Sequence, residues 1–260
     1  MTEPQHAGAS PLPVSVVISV YNRAELLRRA LRSIEAQQSQ PDEVIVIDAG
    51  STDGSHLVAE AWGARVIRTE NRGTSAAKQT GLEVARNDWV ALLDSDDEWL
   101  PDHLGTLWRL RDGNVLVANS VLECSEEGGE RSFHGALSDR PARLTSPAAV
   151  LFPENPVPDS AVMVRRDEAL AAGGFREVRC EDLDVWCRLL SRGQGTVTPE
   201  VGALFYRHPV QISADWEAIH ASHLEIAESF AGAEWWAPGI VERRRGVTLW
   251  DRFRARRREG

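Results

Sequence analysis

The 260-residue sequence predicts an α/β fold in which a mostly parallel sheet lies between two layers of helices. Apolar, β-branched segments alternate with amphipathic segments over residues 14–94. Short connections join them, which is typical of parallel strands linked by crossover helices. The composition, 42% hydrophobic and 26% charged, is that of an ordinary globular protein. It suits one large domain with a small appendage.

The first predicted unit is a strand followed by a helix. Residues 14–20 (Val-Ser-Val-Val-Ile-Ser-Val) are apolar and β-branched, as expected of a strand buried on both faces. Asn22, with Glu25 three residues later, resembles a capping box, a signal for the start of a helix. Apolar side chains then recur at the spacing of one helical face: Leu27, Ala30, Leu31 and Ile34.

The same alternation continues along the first half of the chain. Further strands are predicted at 44–47, 65–68 and 89–93, and helices at 56–62 and 75–85. Polar clusters follow or adjoin the strands at 21–23, 48–53, 71–78 and 94–97. The carboxyl ends of parallel strands meet at one edge of a sheet, where α/β proteins bind their ligands. We therefore expect these four clusters to line one crevice.

The second half of the chain is less regular. Helices are predicted at 104–111, 181–192 and 216–230, and strands at 115–121, 160–164, 196–201 and 203–206. Residues 123–158 are rich in Gly, Pro and Ser, which is typical of a long binding loop.

Charge is distributed unevenly along the sequence. The net charge is −10, but residues 241–260 hold eight arginines and three acids, which leaves −15 on the remainder. An acidic body argues against nucleic acid as a partner. The basic tail also contains Leu249, Trp250 and Phe253. It could therefore contact an anionic membrane surface, or it could remain a solvated terminus.

Compartment signals in the sequence are weak but consistent with one another. Residues 1–13 have no basic or apolar segment typical of a signal peptide, and they are expected to be disordered. The three cysteines, Cys124, Cys180 and Cys187, lack metal-binding spacing and suit reduced core thiols. A cytoplasmic location is expected, with peripheral contact at the inner face of the membrane as a variant.

An acidic loop is the most informative motif. The apolar strand at 89–93 ends abruptly in Asp94-Ser95-Asp96-Asp97. In extended backbone, Asp94 and Asp96 point to the same side. Their hard oxygen atoms suit Mg²⁺ or Mn²⁺ and, through the cation, a diphosphate. Taken alone, the motif is also compatible with a solvated acidic turn.

A second acidic motif, Glu-Asp-Leu-Asp-Val-Trp-Cys-Arg, begins the helix predicted at 181–192. Leu183, Cys187 and Leu190 share one face and should be core. Asp184 and Arg188 are four residues apart and should pair. Glu181 and Asp182 stand where the helix dipole favours carboxylates. A carboxylate at this place could also act as a general base.

Together these motifs resemble the family 2 inverting glycosyltransferases, which have the Rossmann-like, three-layer type A glycosyltransferase fold. The resemblance runs from about residue 14 to about residue 213. Its segments are 17–23, 46–55, 92–97, Asn71-Arg72-Gly73 with Ala77-Lys78 and Gly81, Arg165-Arg166 before Gly173-Gly174-Phe175, and the helix at 181–188.

The resemblance implies roles for individual residues. Contacts with a nucleotide-sugar are implied for Val20, Tyr21, Asn22, Arg23, Asp48, Ser51, Asp53, Lys78, Asp94 and Ser95. The implied ligands of Mg²⁺ or Mn²⁺ are Asp96, Asp94 and His208, and the last could instead be a surface histidine at a strand end. Asp182 resembles the base that activates the acceptor hydroxyl, with Glu181 as the alternative. Ala49 and Gln79 depart from the family pattern and leave the preferred nucleotide base open.

The implied activity is metal-dependent transfer of a sugar, with inversion, from a nucleoside-diphosphate sugar to a hydroxyl. A UDP-sugar is the first choice of donor, and the acceptor could be a glycan, a lipid-linked sugar or a metabolite. The implied catalytic domain is 14–213, with 14–100 binding nucleotide and 101–213 binding acceptor. Residues 214–260 would form C-terminal helices and the basic tail.

Three other functions remain open at this point. One is a nucleotidyltransferase, although 21–23 offers no Gly-rich triphosphate loop. A second is a non-catalytic protein that binds sugar nucleotides, although the carboxylates at 94, 96 and 182 are intact. A haloacid-type phosphatase is less compatible, because its acidic motif should follow the first strand.

Overall fold

A computed structural model describes residues 10–125, 132–136, 138–151, 155–207 and 216–233. Over these residues the chain forms a mixed ten-stranded sheet with helices on both faces. The three-layer α/β fold predicted from the sequence is confirmed.

The strands are β1 (Leu12–Val20), β2 (Pro41–Asp48), β3 (Arg65–Arg68), β4 (Trp89–Asp94), β5 (Glu98–Trp99), β6 (Leu116–Ser125), β7 (Ser132–His134), β8 (Ala142–Leu144), β9 (Val162–Arg165) and β10 (Gly195–Arg207). The helices are α1 (Ala24–Glu35), α2 (Ser55–Trp62), α3 (Thr74–Val84), α4 (His103–Leu110), α5 (Ala148–Leu151), α6 (Arg166–Ala171), α7 (Glu181–Leu190) and α8 (Trp216–Ser229). A 3-10 turn at Asp159–Ala161 leads directly into β9.

The sheet has the order β3-β2-β1-β4-β9-β6-β10-β5. Strands β3, β2, β1 and β4 are parallel, and so are β6 and β10, which form the longest ladders. Strand β9 runs antiparallel to both of its neighbours, β4 and β6. Its first residue therefore lies at the same edge of the sheet as the last residues of β1, β2 and β4. This edge is the crevice expected from the polar clusters.

Two apolar cores lie on opposite faces of the sheet. Side chains on a strand alternate between faces, so Val16 and Ile18 point to one core and Val17 points to the other. Helices α1, α2 and α4 cover the first core, and α3, α6, α7 and α8 cover the second. Ile226 and Ala227 of α8 are buried in this second core, so α8 packs on the same body as α7.

The predicted capping box at the start of α1 is wrong. Asn22 has a left-handed backbone (φ 51°) and does not cap the helix. The carboxylate of Asp53 instead accepts the N–H of Ala24 at 2.9 Å, and the hydroxyl of Ser55 accepts the N–H of Arg23 at 3.1 Å. The loop after β2 thus supplies the acceptors that the sequence-local motif was expected to supply.

Other boundaries differ from the prediction in smaller ways. β1 begins at Leu12, inside the expected lead-in, and the two strands predicted at 196–206 are one strand, β10, with an irregular register near Val201. The irregular stretch at 123–158 contains β7, β8 and α5 in its described part. All three cysteines are buried and none forms a disulfide, as predicted. Among the described residues, no helix has the length and hydropathy required to cross a bilayer.

Candidate active site

The acidic loop lies at the carboxyl end of β4. Asp94, Asp96 and Asp97 each place an atom so that all three atoms lie within 4.8 Å of one another. Three carboxylate oxygens are the donor set that Mg²⁺ and Mn²⁺ prefer, so the residues present fit such an ion. Asp97 is thus added to Asp94 and Asp96, the two ligands predicted on this loop. Ser95, which lies between Asp94 and Asp96 in the sequence, is buried.

Two arginines of the first strand–helix unit hold the loop in place. The guanidinium of Arg23 pairs with the carboxylate of Asp96. Arg29 donates from Nη2 to the carbonyl oxygen of Asp96 at 2.5 Å, and its Nε lies 3.3 Å from a carboxylate oxygen of Glu98. Two guanidinium groups therefore balance part of the negative charge of the loop.

Asp97 is the most enclosed carboxylate of the loop. Its Oδ1 accepts the N–H of Tyr206 at 3.0 Å, and its Oδ2 accepts the hydroxyl of Ser160. Burial raises the pKa of Asp97 well above its usual value, and the charges of Asp94 and Asp96 raise it further. A divalent cation would offset this accumulation of negative charge.

Lys78, on α3, joins the acidic loop to two other elements. Its Nζ lies 3.7 Å from Oδ1 of Asp94 and 3.1 Å from Oε1 of Glu181, and it also pairs with Asp159. Burial alone would lower the pKa of Lys78, but these three carboxylates raise it well above 10.5. The ammonium group therefore stays charged. It lies where the end of β4, the 3-10 turn and the start of α7 meet.

Asp182 stands beside this junction, at the start of α7. Burial and the charge of Glu181 raise its pKa, Lys78 opposes both effects, and the resulting pKa is about 6. A carboxylate with this pKa is ionised at neutral pH and is well matched to accept a proton. The structure thus brings together the two acidic motifs that the sequence places some 85 residues apart.

Asp184, two residues after Asp182 on α7, forms ion pairs with two arginines. Its carboxylate accepts Nε of Arg188 at 3.0 Å and Nε of Arg176 at 2.9 Å. Arg188 also donates to the carbonyl oxygens of Ala172 and Gly174, each at 2.6 Å. The pair of Asp184 and Arg188 predicted from the sequence is confirmed, and Arg176 adds a second cation to it.

Two loops that follow β1 and β2 form the rest of the crevice. Asp48 is fully buried, and its Oδ1 accepts the N–H of Ser51 at 2.8 Å. Its Oδ2 lies 3.5 Å from Nδ1 of His56 and 3.3 Å from Nε of Arg68. The hydroxyl of Ser51 accepts the N–H of Asn22 at 2.9 Å, so the two loops are tied together.

The remaining predicted contacts lie on the same loops. The carbonyl of Val20 accepts the N–H of Ala49 at 2.9 Å, and Tyr21 beside it is 48% exposed. Burial alone would raise the pKa of Asp53, but hydrogen bonds from Ser55 and from backbone N–H groups lower it. Asp53 therefore braces the loop as an ionised carboxylate, while the exposed ring of Tyr21 faces solvent.

Comparison with known proteins identifies the family. The model of "Glycosyl transferase family 2" matches residues 15–172, which is more than half of the chain. The chain belongs to glycosyl transferase family 2. This glycosyltransferase is therefore an enzyme, and the resemblance drawn from its motifs is confirmed. The nucleotidyltransferase, binding-protein and phosphatase alternatives are set aside.

Relatives and solved structures agree with this family. The glycosyltransferase is 33% identical over 210 residues to the uncharacterized protein MT1568 of Mycobacterium tuberculosis (strain CDC 1551 / Oshkosh), covering 74% of this chain and 66% of that protein. It spans 36% and 41% of the length of two further relatives. The chain therefore covers only part of the length of these related proteins.

Two solved structures share the fold. The mannosyltransferase PcManGT from Pyrobaculum calidifontis, in complex with GDP-Man and Mn²⁺, has a TM-score of 0.66 at 18% identity over 92% of this chain and 72% of its own. S. aureus TarS residues 1–349, in complex with UDP-GlcNAc, has a TM-score of 0.69 at 17% identity over 86% of this chain and 68% of its own. At these identities the similarity shows the fold.

Sequence reasoning missed part of this site. Asp159 was not singled out, and Ser160 was taken only as the start of a strand. In the sequence, the one feature that could have indicated Asp159 and Ser160 is their position directly before β9. This position lies in the crevice only because β9 runs antiparallel to β4. His208 lies outside the described residues, so its proposed metal contact stays a prediction. The roles predicted for the other site residues stay predictions as well.

Proposed function

We propose that this glycosyltransferase transfers a sugar from a nucleoside-diphosphate sugar to an acceptor hydroxyl by a single displacement that inverts the anomeric carbon. One observation carries the proposal: Asp94 of the acidic loop and Glu181 of α7 contact the same ammonium group, at 3.7 Å and 3.1 Å. This contact places Asp182, the next residue, beside the loop. The donor and the base would thus share one crevice.

Each group has a distinct task in this proposal. The loops at 20–23 and 48–53 would bind the nucleoside. Asp94, Asp96 and Asp97 would hold Mg²⁺ or Mn²⁺, which as a Lewis acid offsets negative charge on the departing diphosphate. Asp182 would accept the proton of the acceptor hydroxyl as its oxygen attacks the anomeric carbon. Base catalysis of this kind contributes roughly 10²–10⁴-fold, and positioning of the two substrates contributes much of the rest.

The nucleotide-sugar donor is supported by the ligands of the fold relatives. PcManGT is complexed with GDP-Man and Mn²⁺, and TarS with UDP-GlcNAc. We take UDP-sugars as the first donors to test and GDP-sugars as the second. The acceptor is proposed only as a hydroxyl of a glycan, a lipid-linked sugar or a metabolite.

The donor is found by screening nucleotide-sugars with Mn²⁺ or Mg²⁺ and measuring the nucleoside diphosphate released. Release of pyrophosphate instead would contradict the proposed chemistry. Once a donor and an acceptor are known, proton NMR of the product gives the anomeric configuration, and retention would overturn the single displacement. Chelation with EDTA should abolish turnover, and readdition of Mn²⁺ should restore it.

The base assignment has its own test. Asp182→Asn should reduce turnover by about 10²–10⁴-fold or more while donor binding, measured by calorimetry, is retained. Glu168→Gln is a matched control, because Glu168 forms an ion pair with Arg192 at 3.0 Å outside the crevice. Unchanged turnover of Asp182→Asn, with the control also unchanged, would refute Asp182 as the base.

We also propose a cytoplasmic enzyme whose basic tail contacts the inner face of the membrane. The tail at 241–260 lies outside the described residues, and the proposal rests on its eight arginines and its aromatic residues. Deletion of 247–260 should reduce association with liposomes that contain anionic lipid. Undiminished association would discard the membrane contact.

A further inference from the structure

Lys78 is the only lysine in the sequence, and the other 28 basic residues are arginines. It is also only 4% exposed. Arginine presents a planar fork that binds one carboxylate through two atoms, whereas lysine is a compact charge with three N–H donors. The single use of lysine, at a buried position, suggests a place that requires a compact cation that several carboxylates can approach.

The ammonium group of Lys78 faces three carboxylates from three different elements. Asp94 ends β4, Asp159 lies in the 3-10 turn before β9, and Glu181 begins α7. The ammonium donates hydrogen bonds to Asp159 and Glu181, and the Asp94 oxygen lies 3.7 Å away. Lys78 therefore ties the 3-10 turn to the start of α7, which gives it a structural task in addition to the nucleotide contact that the family resemblance implies.

The carboxylate of Asp159 is buried among other carboxylates, which is an unfavourable environment for its charge. Burial raises its pKa well above the usual value, Asp94, Asp182 and Glu181 raise it further, and Lys78 alone opposes this among the main causes. Its Oδ1 is buried and has no hydrogen-bond partner within the described residues. A buried acceptor without a partner is costly, so its presence in a native protein calls for an explanation.

The turn that carries Asp159 is fixed to the acidic loop. The neighbouring Ser160 donates its hydroxyl to Asp97 and accepts the N–H of Asp94 at 3.2 Å. The carbonyl of Ser160 accepts Nε1 of Trp99 at 2.6 Å. Asp159 therefore holds the ammonium from a rigid support, and the ammonium in turn reaches α7.

We propose that Lys78 and Asp159 are a positioning pair, which holds the start of α7 against the acidic loop so that Asp182 faces the donor. In this proposal neither residue touches the reacting atoms. The inference rests on the proposed function, because it takes Asp182 as the base.

The charges around Asp182 make the consequences of the two substitutions different. The groups that face Asp182 are Glu181 on its own helix, Lys78 from α3, Asp94 from β4, and Asp159 from the 3-10 turn. After burial and Glu181, Lys78 is the charge that most affects the pKa of Asp182, and it lowers it. Loss of Lys78 should therefore raise the pKa of the base. Asp159 has a strongly raised pKa of its own, so its loss should act through the position of α7 and not through the pKa of the base.

The experiment compares Lys78→Gln and Asp159→Asn in the full chain, with an active donor and acceptor. Because the base works ionised, the acid limb of the kcat/KM profile against pH follows its pKa. Lys78→Gln should move this limb upward by about one pH unit, whereas Asp159→Asn should leave it near the wild-type position. In both variants kcat should fall, by about 10²-fold in Lys78→Gln, because the base is displaced, with donor affinity little changed. Glu168→Gln should match the wild type in every respect.

A second measurement does not depend on activity. The chain has one lysine, so ¹⁵N-lysine labelling gives one side-chain ammonium signal, which reports the Lys78 environment directly. In the wild type this signal should be visible at neutral pH, because a buried ammonium that donates hydrogen bonds to Asp159 and Glu181 exchanges its protons slowly with water. In Asp159→Asn the same signal should broaden, because one of these bonds is weakened. If Lys78→Gln fails to fold, Lys78→Arg tests the geometry: the charge stays, and kcat should fall without an upward shift of the acid limb.

Several outcomes would overturn the positioning pair. An acid limb that does not move in Lys78→Gln, or a kcat that is unchanged in Asp159→Asn, would contradict it. A loss of donor affinity equal to the loss of kcat/KM, with kcat unchanged, would assign Lys78 to donor binding instead. These outcomes are separate from a failure of the proposed function, in which Asp182→Asn itself would keep its turnover.

Discussion

Replacement of Asp184 by Asn should destabilise the enzyme strongly without altering its chemistry. The Asp184 side chain is 1% exposed, and it neutralises Arg188, which is 13% exposed, and Arg176, which is 51% exposed. Removing one partner of a buried ion pair costs about 3–5 kcal/mol because the other charge stays buried and unpaired. The exposed Arg176 adds at most about 1 kcal/mol after solvent screening. Asparagine keeps one acceptor oxygen, so we expect a loss of about 3 kcal/mol.

Urea unfolding followed by circular dichroism at pH 7 measures this loss. In a chain of this size about 3 kcal/mol corresponds to a fall in Tm of roughly 6–12 °C. Glu168→Gln, which breaks the more exposed pair with Arg192, should cost less than about 0.5 kcal/mol. A loss below about 1 kcal/mol for Asp184→Asn would refute the reasoning that the buried arginine depends on this carboxylate.

The difference in unfolding free energy between the wild type and Asp184→Asn should depend on pH in a defined way. Burial alone would raise the pKa of Asp184, but Arg176 and Arg188 lower it below its usual value of 3.8. A carboxylate with a depressed pKa stabilises the fold fully above its unfolded pKa, and this contribution is lost as the pH falls through the folded value. The difference between wild type and Asp184→Asn should therefore be constant near neutral pH and shrink below about pH 4. A difference that grows on acidification would contradict this sign.

Three further predictions concern packing, metal binding and thiol reactivity. A Cβ added at Gly81 would lie 2.2 Å from Cγ1 of Val17, so Gly81→Ala should cost about 1–3 kcal/mol in urea unfolding, and an unchanged midpoint would show that α3 can shift. Ser160→Ala removes the hydroxyl that orients Asp97, so Mn²⁺ affinity measured by calorimetry should fall about 10-fold, and an equal affinity would contradict the orienting role given to Ser160. The buried thiols should react with DTNB only after unfolding in urea, Cys180 included, since burial raises its pKa to about 12; rapid labelling of the native enzyme would contradict their burial.

The parallel half of the fold was predictable because its strands are buried on both faces. Such strands appear as continuous apolar runs, as at 14–20 and 89–93, and each is followed by the polar residues of the crevice. The crossover helices between them fix the direction of each strand. The position of Asp94 and Asp96 at the edge of the sheet follows from these facts alone.

The direction of β9 was not predictable in the same way. A short apolar segment has the same appearance whether it runs parallel or antiparallel, and residues 126–131 and 152–158 between β6 and β9 carry no pattern that decides it. Asp159 and Ser160 enter the site only through this reversal. The contacts of Lys78 were hidden for a related reason, since its partners Asp94, Asp159 and Glu181 come from three separate elements.

The start of α1 shows a local signal overridden by tertiary structure. Asn22 and Glu25 have the spacing of a capping box, but Asp53 and Ser55 reach the first N–H groups of the helix from another loop. Asn22 instead takes a left-handed conformation and accepts the N–H of Thr52 at 2.8 Å. Spacing along one segment cannot reveal a competitor that lies thirty residues away in sequence.

The stretch between β6 and β9 also determines where the enzyme can be engineered. Strand β9 begins opposite Ala118, whereas β6 continues to Ser125, and the stretch between them adds β7 and β8 to the sheet and Val150 and Leu151 to a core. Foreign sequence is therefore better inserted at the exposed residues 138–141, between β7 and β8, than exchanged for the whole stretch. Doubling the length of a flexible loop adds only about 0.6 kcal/mol of closure entropy. Insertions at this turn offer a route to test whether the stretch affects the choice of acceptor.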